Sequence, residues 1–252
     1  MLHDLRDLEL PGRSFVRRVA AGPVIGRAAR NAARVLTVSE TVRARLIARF
    51  DLPQEHVVVV PNAGDHLRVL PRAPGSDAPL LHVGHVEPRK NLELLVRALA
   101  LDPGLPALVL AGAPKAEEDA RLAALARELG VAQRVRLLGD VAEEELPKLY
   151  ASAACVVLPS RLEGFGIVVL EAQRARVPLA VADAGALVEV AGPGVPRFGV
   201  EDAAGCAAAI RAAMGRGAEE LERDALSAGR FAWEDSARRL VEVWGEVAKE
   251  AR

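Results

Sequence analysis

Pro159-Ser-Arg-Leu-Glu-Gly-Phe-Gly-Ile-Val-Val-Leu-Glu171 is the stretch on which the reading of this chain turns. The apolar run Cys155–Pro159 before it has the length and composition of a buried strand. From about Gly166 onward the pattern is helical. Two glycines at such a strand-to-helix turn, Gly164 and Gly166, allow a tight bend and a close approach of a ligand to the backbone. The first amides of the helix, near Gly166, Ile167 and Val168, then point outward as donors. With the helix dipole they make an anion site suited to a phosphate. Glu171 lies about one and a half turns inside the helix, ~7 Å from its start. That is about the distance from a bound diphosphate to its ribose, and a carboxylate there can accept from both hydroxyls of a cis-diol. Glu163 stands in the loop, on the far side of the phosphate site. A plain glycine turn with two solvated glutamates is the competing reading. The Pro159-Ser160 lead-in and the Glu-Gly-Phe-Gly run weigh against it.

Outward from this stretch, short runs rich in Val and Leu alternate with longer amphipathic ones. Strands are expected at Val35–Val38, His56–Val60, Leu80–Val83, Ala107–Ala111, Arg134–Leu138, Cys155–Pro159 and Leu179–Ala182. None alternates polar with apolar, as suits parallel strands buried on both faces. Helices are expected near Asn91–Ala100, Glu117–Leu129, Glu143–Ala151, Ile167–Ala175 and Trp233–Ala251. The rhythm predicts an α/β chain with a Rossmann-like, doubly wound parallel sheet. The proline- and glycine-rich stretch Pro61–Pro79 breaks that rhythm and separates two strands before it from five after it. Too few strands precede it to close a sheet, so the front is a partial Rossmann-like segment that docks on the second domain or ends a larger one. Ser39 is expected to cap a helix, and Asn91 to cap another.

A second loop follows the strand Leu80–Val83: Gly84-His-Val-Glu-Pro-Arg-Lys-Asn91. It lies at the carboxyl end of a strand, where open α/β sheets bind ligands. Arg89 and Lys90 supply cations that a departing diphosphate needs. Taken alone, the loop is equally an exposed basic turn.

Composition closes off other classes. The 33 Lys+Arg balance 34 Asp+Glu, without the basic surplus a nucleic-acid binder uses against phosphates. Apolar residues make up 51%, enough for a buried core. No run approaches the roughly 18 apolar residues of a membrane span. The first residues lack the apolar segment of a secretory signal. Cys155 and Cys206 sit in no CxxC or His-rich cluster, so both read as core thiols in a reducing cytoplasm, and no metal-ligand spacing appears. His56, His66 and His82 have no clustered partner in the sequence and read as structural. Trp233 and Trp244 read as packing for the last helix.

Gly84–Asn91, the Gly139-Asp140-Val141 turn, Glu144–Tyr150 and Pro159–Glu171 together resemble, in order and spacing, the GT-B retaining glycosyltransferases, and more narrowly family 4, the "glycosyltransferase group 1" family. The E-x7-E pattern, here Glu163 and Glu171, is its hallmark. Ala182–Glu189, Phe231-Ala-Trp233, His3-Asp4-Leu5, Leu36–Glu40 and Val59–Asp65 resemble further segments of the same family. The likeness covers nearly the whole chain.

The resemblance implies a division into residues 1–66, the remnant of an acceptor-side domain; 67–230, the donor-binding domain; and 231–252, a helix packing back toward the front. It implies a donor site in which Lys90 and Arg89 bind the diphosphate, Gly84 shapes their loop and Glu171 holds the ribose. Glu163 contacts the transferred sugar, and Gly164, Phe165, Gly166, Ile167 and Val168 give backbone donors. Gly139 and Val141 flank the nucleobase, and His3 faces the reacting sugar across the cleft. Glu163, His3 and Lys90 are the expected catalytic groups. The implied activity is metal-independent transfer, with retention, from a nucleotide-diphosphate sugar to a glycan, lipid or small-molecule acceptor, without a cofactor. Location is expected to be cytoplasmic, and a lipid acceptor is compatible with peripheral contact at the inner face of the membrane.

His85 replaces a common arginine, removing one phosphate cation unless Arg89 compensates. Val188 replaces a common proline. Arg176-Val177 occupies a turn that commonly holds glycine, tolerable for arginine only at negative φ. The family's front domain exceeds residues 1–66 by roughly a hundred residues. A non-catalytic nucleotide-sugar-binding half-enzyme, or a subunit whose partner chain supplies the missing half, is therefore the alternative reading. Such a chain is expected to bind donor weakly and turn over poorly. A dinucleotide-binding Rossmann protein is disfavoured, because no G-x-G-x-x-G opens the first turn.

Overall fold

The structure is a computed structural model. It describes residues 1–5, 15–115 and 117–250, with the backbone alone at 15–20. The expected helix end at Ala251 lies outside the described residues.

Six strands form the main sheet: β3 (Leu80–Val83), β4 (Leu108–Ala111), β5 (Val135–Gly139), β6 (Cys155–Leu158), β7 (Leu179–Ala182) and β8 (Arg197–Phe198). All pair in parallel, in the order β5-β4-β3-β6-β7-β8. Every residue of β3, β6 and β7 is buried, which is why these strands read as unbroken apolar runs. The sheet has one strand more than the five expected after Pro79. The addition, β8, has two residues, too few to carry a pattern.

Helices α3 (Leu92–Leu101), α4 (Glu118–Glu128), α5 (Leu146–Ser152), α6 (Ile167–Arg174), α7 (Ala186–Ala191), α8 (Ala203–Met214) and α9 (Ala218–Ala228) connect the strands or follow them. Helix α3 buries Leu92, Leu95, Val96 and Leu99 and packs on α8. Asn91 precedes α3, but its side chain does not cap it. The residue is left-handed, and its Nδ2 instead donates to the carbonyls of Pro159 (3.1 Å) and Val200 (2.8 Å). The expected cap is thus a brace between loops.

The strand order reverses between β3 and β6. The chain leaves β3 toward one edge and returns at β6 toward the other, so the loops following these two strands diverge and leave a crevice. His82 ties the strands together there, with Nδ1 donating to the Val157 carbonyl at 3.0 Å. Burial, then the nearby Lys90 charge, lowers its pKa to about 4. It is therefore a neutral structural residue.

In the front segment, α1 (Phe15–Asn31), β1 (Val35–Thr37), α2 (Glu40–Phe50) and β2 (Val57–Val59) surround a small core of Leu5, Val35, Val42, Leu46, Phe50 and Val57. β1 pairs in parallel with β2, and Leu2 bridges to Thr37 on β1. Ser39 caps α2 by accepting from the Val42 amide, and its hydroxyl donates to the Gly164 carbonyl at 2.7 Å. The Glu189 carboxylate accepts from the amides of Glu40 and Thr41, both at 2.9 Å. An anion from α7 thus sits on the positive end of α2 and docks the front on the sheet domain.

The last helix, α10 (Trp233–Glu250), reaches the linker: Ser236 Oγ donates to the Pro61 carbonyl at 2.6 Å. Its two tryptophans are not packing residues as expected. Trp233 is 41% exposed and Trp244 61%. The aromatic packing comes from Phe231, edge-on to Phe165 with ring centroids 5.5 Å apart. Cys155 and Cys206 are buried free thiols, and burial pushes the Cys206 thiol up to about 12.

Arg176 departs from expectation. Its φ is +53°, so the turn keeps the left-handed geometry usual for glycine. The amides of Arg176 and Val177 close the end of α6 on the carbonyls of Gln173 and Ala172, both at 2.9 Å, which fixes that geometry. The guanidinium pairs with Glu222 at the surface. We expect Arg176→Gly to raise stability by about 0.5–1 kcal/mol, the left-handed strain relieved less the entropy glycine adds to the unfolded chain. Chemical denaturation checks this; a lower midpoint would mean that the surface ion pair outweighs the strain.

Candidate active site

The crevice holds a cleft of about 260 Å³ lined by His3, Asn62, Lys90, Glu163, Gly164, Phe165, Gly166, Ile167 and Val168, among others. Eight of the residues singled out in the sequence therefore meet there. Backbone geometry dictates the glycines. A Cβ at Gly164 would stand 1.7 Å from the His3 carbonyl oxygen, so only glycine lets the front segment touch this loop. Gly166 has φ +95° at the start of α6. Among the described residues no backbone carbonyl accepts from the amides of Gly166, Ile167 or Val168, so these donors face the cleft uncommitted.

Glu163 is the electrostatic centre. Its Oε1 accepts from Lys90 Nζ and its Oε2 from Arg89, both at 2.7 Å. Burial alone would raise this carboxyl's pKa, but Lys90 and Arg89 outweigh it and hold the pKa near 2. The two cations are not equivalent. Arg89 also donates to the Leu162 carbonyl (2.7 Å) and to Glu87 (2.7 and 3.2 Å), so its guanidinium is largely committed to holding the loop. Lys90 has three N–H donors and, among the described residues, one hydrogen-bond partner, leaving capacity for a second anion. Gly84, at the start of the same loop, has φ +134°, a conformation that favours glycine.

Glu171 is buried on α6 and outside the lining of the cleft. Its Oε2 accepts from the Tyr150 hydroxyl at 2.6 Å, and its Oε1 meets His66 Nε2 at 3.0 Å. Burial, then the Glu171 charge, pushes the Tyr150 phenol well above its usual range, so the phenol stays a donor. Sequence reasoning missed both partners. Tyr150 is the chain's one tyrosine, and a buried phenol needs an acceptor, a signal available in principle. His66, read as structural and partnerless, has Glu171 as its partner; its approach to α6 is a tertiary contact with no signature in sequence.

Gly139 ends β5, two strands away from β3, and Val141 follows in the loop after it; neither lines the cleft. The Gly139 carbonyl accepts from the Gly112 amide at 2.8 Å, and Gly112 in turn abuts Gly84, so Gly139 is linked to the loop after β3. His85 is exposed. His56 is structural, its Nε2 bonding the Ala29 carbonyl at 2.7 Å.

The model of one family, "Glycosyl transferases group 1", matches residues 68–231. The chain belongs to this family. Among curated proteins it is similar to the D-inositol 3-phosphate glycosyltransferase of Salinispora tropica, 32% identical over 87% of this chain and 52% of that protein. It is likewise similar to the O-antigen chain mannosyltransferase B of Escherichia coli, 34% identical over 63% of this chain and 45% of that one. The chain thus spans about half the length of the curated relatives it matches. Among solved structures, sucrose-phosphate synthase from Thermosynechococcus elongatus superposes with TM-score 0.79 at 22% identity, over 95% of this chain and 63% of that one. Anabaena HepE in complex with UDP gives 0.76 at 21%, over 96% and 71%. The fold is that of GT-B glycosyltransferases, and the likeness to the group 1 family is the expected one.

The depressed pKa of Glu163 carries a prediction of sign. Its folded value lies near 2, below the ordinary 4.5, so the ion cluster contributes stability that is present above about pH 4.5 and lost as pH falls toward 2. Glu163→Gln removes that dependence. The difference in unfolding free energy between wild type and Glu163→Gln is expected to be largest near neutrality and to shrink between pH 4.5 and 2. A difference independent of pH in parallel denaturant melts would contradict the assignment.

Proposed function

We propose that this chain carries the donor side of a retaining glycosyltransferase, taking a sugar from a nucleotide-diphosphate sugar and delivering it to a hydroxyl of a glycan, lipid or small-molecule acceptor. The observation that carries the reading is the meeting of three features at the switch point. These are a lysine with spare donors, a helix start with free amides, and a buried carboxylate one and a half turns along that helix. The family and the names of its members support the same reading.

In the reaction the bond between the anomeric carbon and the diphosphate oxygen breaks and its electron pair leaves with the diphosphate, while the acceptor hydroxyl oxygen bonds to that carbon and gives up its proton to the departing diphosphate. Charge grows on that leaving group. Lys90 and the amides of Gly166, Ile167 and Val168 are fixed in place to meet it, so little reorganisation is needed as the charge develops. These groups supply the positive charge from the protein itself, and we propose that transfer needs no metal. Glu171 receives the ribose hydroxyls. Glu163 has a cation on each oxygen, which makes it a poor nucleophile. Its part is to orient Lys90 and the sugar hydroxyls beside the cationic anomeric centre. His3 faces the sugar from the front segment.

Calorimetric titration with UDP-, GDP- and ADP-sugars tests the donor site. One of these donors is expected to bind saturably. Lys90→Ala and Glu171→Ala are each expected to weaken it about tenfold or more, as for loss of a charge-assisted hydrogen bond. Binding that both variants leave intact would place the donor elsewhere.

A further inference from the structure

His66 lies in the linker between the two parts of the chain, outside every motif of the E-x7-E loop, yet it reaches Glu171. The linker is pressed onto α6: a Cβ at Gly64 would stand 2.7 Å from the Leu170 Cβ, so residues 64–66 pass directly over that helix. The imidazole meets Glu171 Oε1 through Nε2 at 3.0 Å. Its other nitrogen, Nδ1, faces the indole N–H of Trp233 at 3.5 Å, the outer limit of hydrogen-bond reach. Indole nitrogen only donates, so Nδ1 must accept, and the proton of a neutral imidazole resides on Nε2, directed at Glu171. The linker beside it is held to the start of the last helix, because the Trp233 amide donates to the Asp65 carboxylate at 3.2 and 3.3 Å.

With Tyr150 on Oε2 and His66 on Oε1, both oxygens of Glu171 have one fixed donor each. A carboxylate offers about four lone-pair sites, so two remain, one per oxygen. Two acceptor sites on one rigid carboxylate match the two hydroxyls of a cis-diol. We infer that His66 is a positioning residue for donor recognition: it fixes the plane of the Glu171 carboxylate so that both ribose hydroxyls are read, and makes the site selective for ribonucleotides. This rests on the proposed donor reading of Glu171. It adds a residue of the linker, oriented by the last helix, to the site on α6.

The test is calorimetric binding of the preferred nucleoside diphosphate and its 2′-deoxy counterpart to the 252-residue chain. The proteins compared are wild type, His66→Ala, His66→Gln and Glu171→Ala. Wild type is expected to prefer the ribonucleotide. His66→Ala is expected to weaken the ribonucleotide about three- to tenfold, the worth of one oriented hydrogen bond, and the 2′-deoxy ligand less than about twofold, so that the preference collapses. His66→Gln, whose amide can still donate, is expected to restore part of the preference. A linker merely loosened by the substitution would weaken both ligands alike, and that result overturns the inference. So does an unchanged or increased preference in His66→Ala. If Glu171→Ala abolishes the preference while His66→Ala keeps it, the donor reading stands and the role of His66 falls. If wild type shows no preference, both fall.

Discussion

Glu163 is a buried carboxylate with a cation on each oxygen, and it comes from one strand-end loop while both cations come from another. Such a cluster exists only because β3 and β6 lie side by side at the point where the strand order reverses. Remove either cation and one oxygen of a buried carboxylate loses its charged partner, which is costly. Remove the adjacency of the strands and the three side chains never meet. The shape of the cleft, the commitment of Arg89 and the spare capacity of Lys90 all depend on this arrangement.

Around it the molecule divides the labour between fixed and available groups. Arg89 is spent on two carboxylates and a carbonyl, which makes the loop rigid. Lys90 and the first amides of α6 keep donors in hand. Glu171 is fixed from two sides by Tyr150 and His66. Preorganised polar groups of this kind cost stability to assemble, and the apolar sheet beneath them, with β3, β6 and β7 wholly buried, supplies the support. The front segment is joined to the sheet domain through polar contacts made by Ser39 and Glu189, and through a place where only glycine fits, Gly164.

Sequence reasoning was most reliable where a residue's role is local. The buried strands declared themselves as apolar runs, and Ser39 as a cap. The Glu163–Glu171 stretch declared a strand, a glycine turn and a helix. It was least reliable where a side chain leaves its own element. Asn91 occupies a cap position but braces two other loops. Arg176 stands in a left-handed turn that the backbone of α6 imposes. Trp244 faces outward and the largely exposed Trp233 meets His66 of the linker, while Phe231 packs on Phe165. β8 is too short to have a pattern at all.

The sequence by itself determined the α/β alternation, the family, and the residue types of the site: two glutamates eight positions apart, an adjacent Arg and Lys, and two glycines. These follow from periodicity and spacing, which act along the chain. Tertiary structure decided which groups share a charge and which stay available. It paired Glu163 with Lys90 across 73 residues, and brought Tyr150 and His66 onto Glu171 across 21 and 105. Those contacts arise from strand order and from the passage of the linker over α6. Hydrogen bonds and ion pairs act over a few ångströms of space, and no local pattern encodes which distant residues will fall within that range.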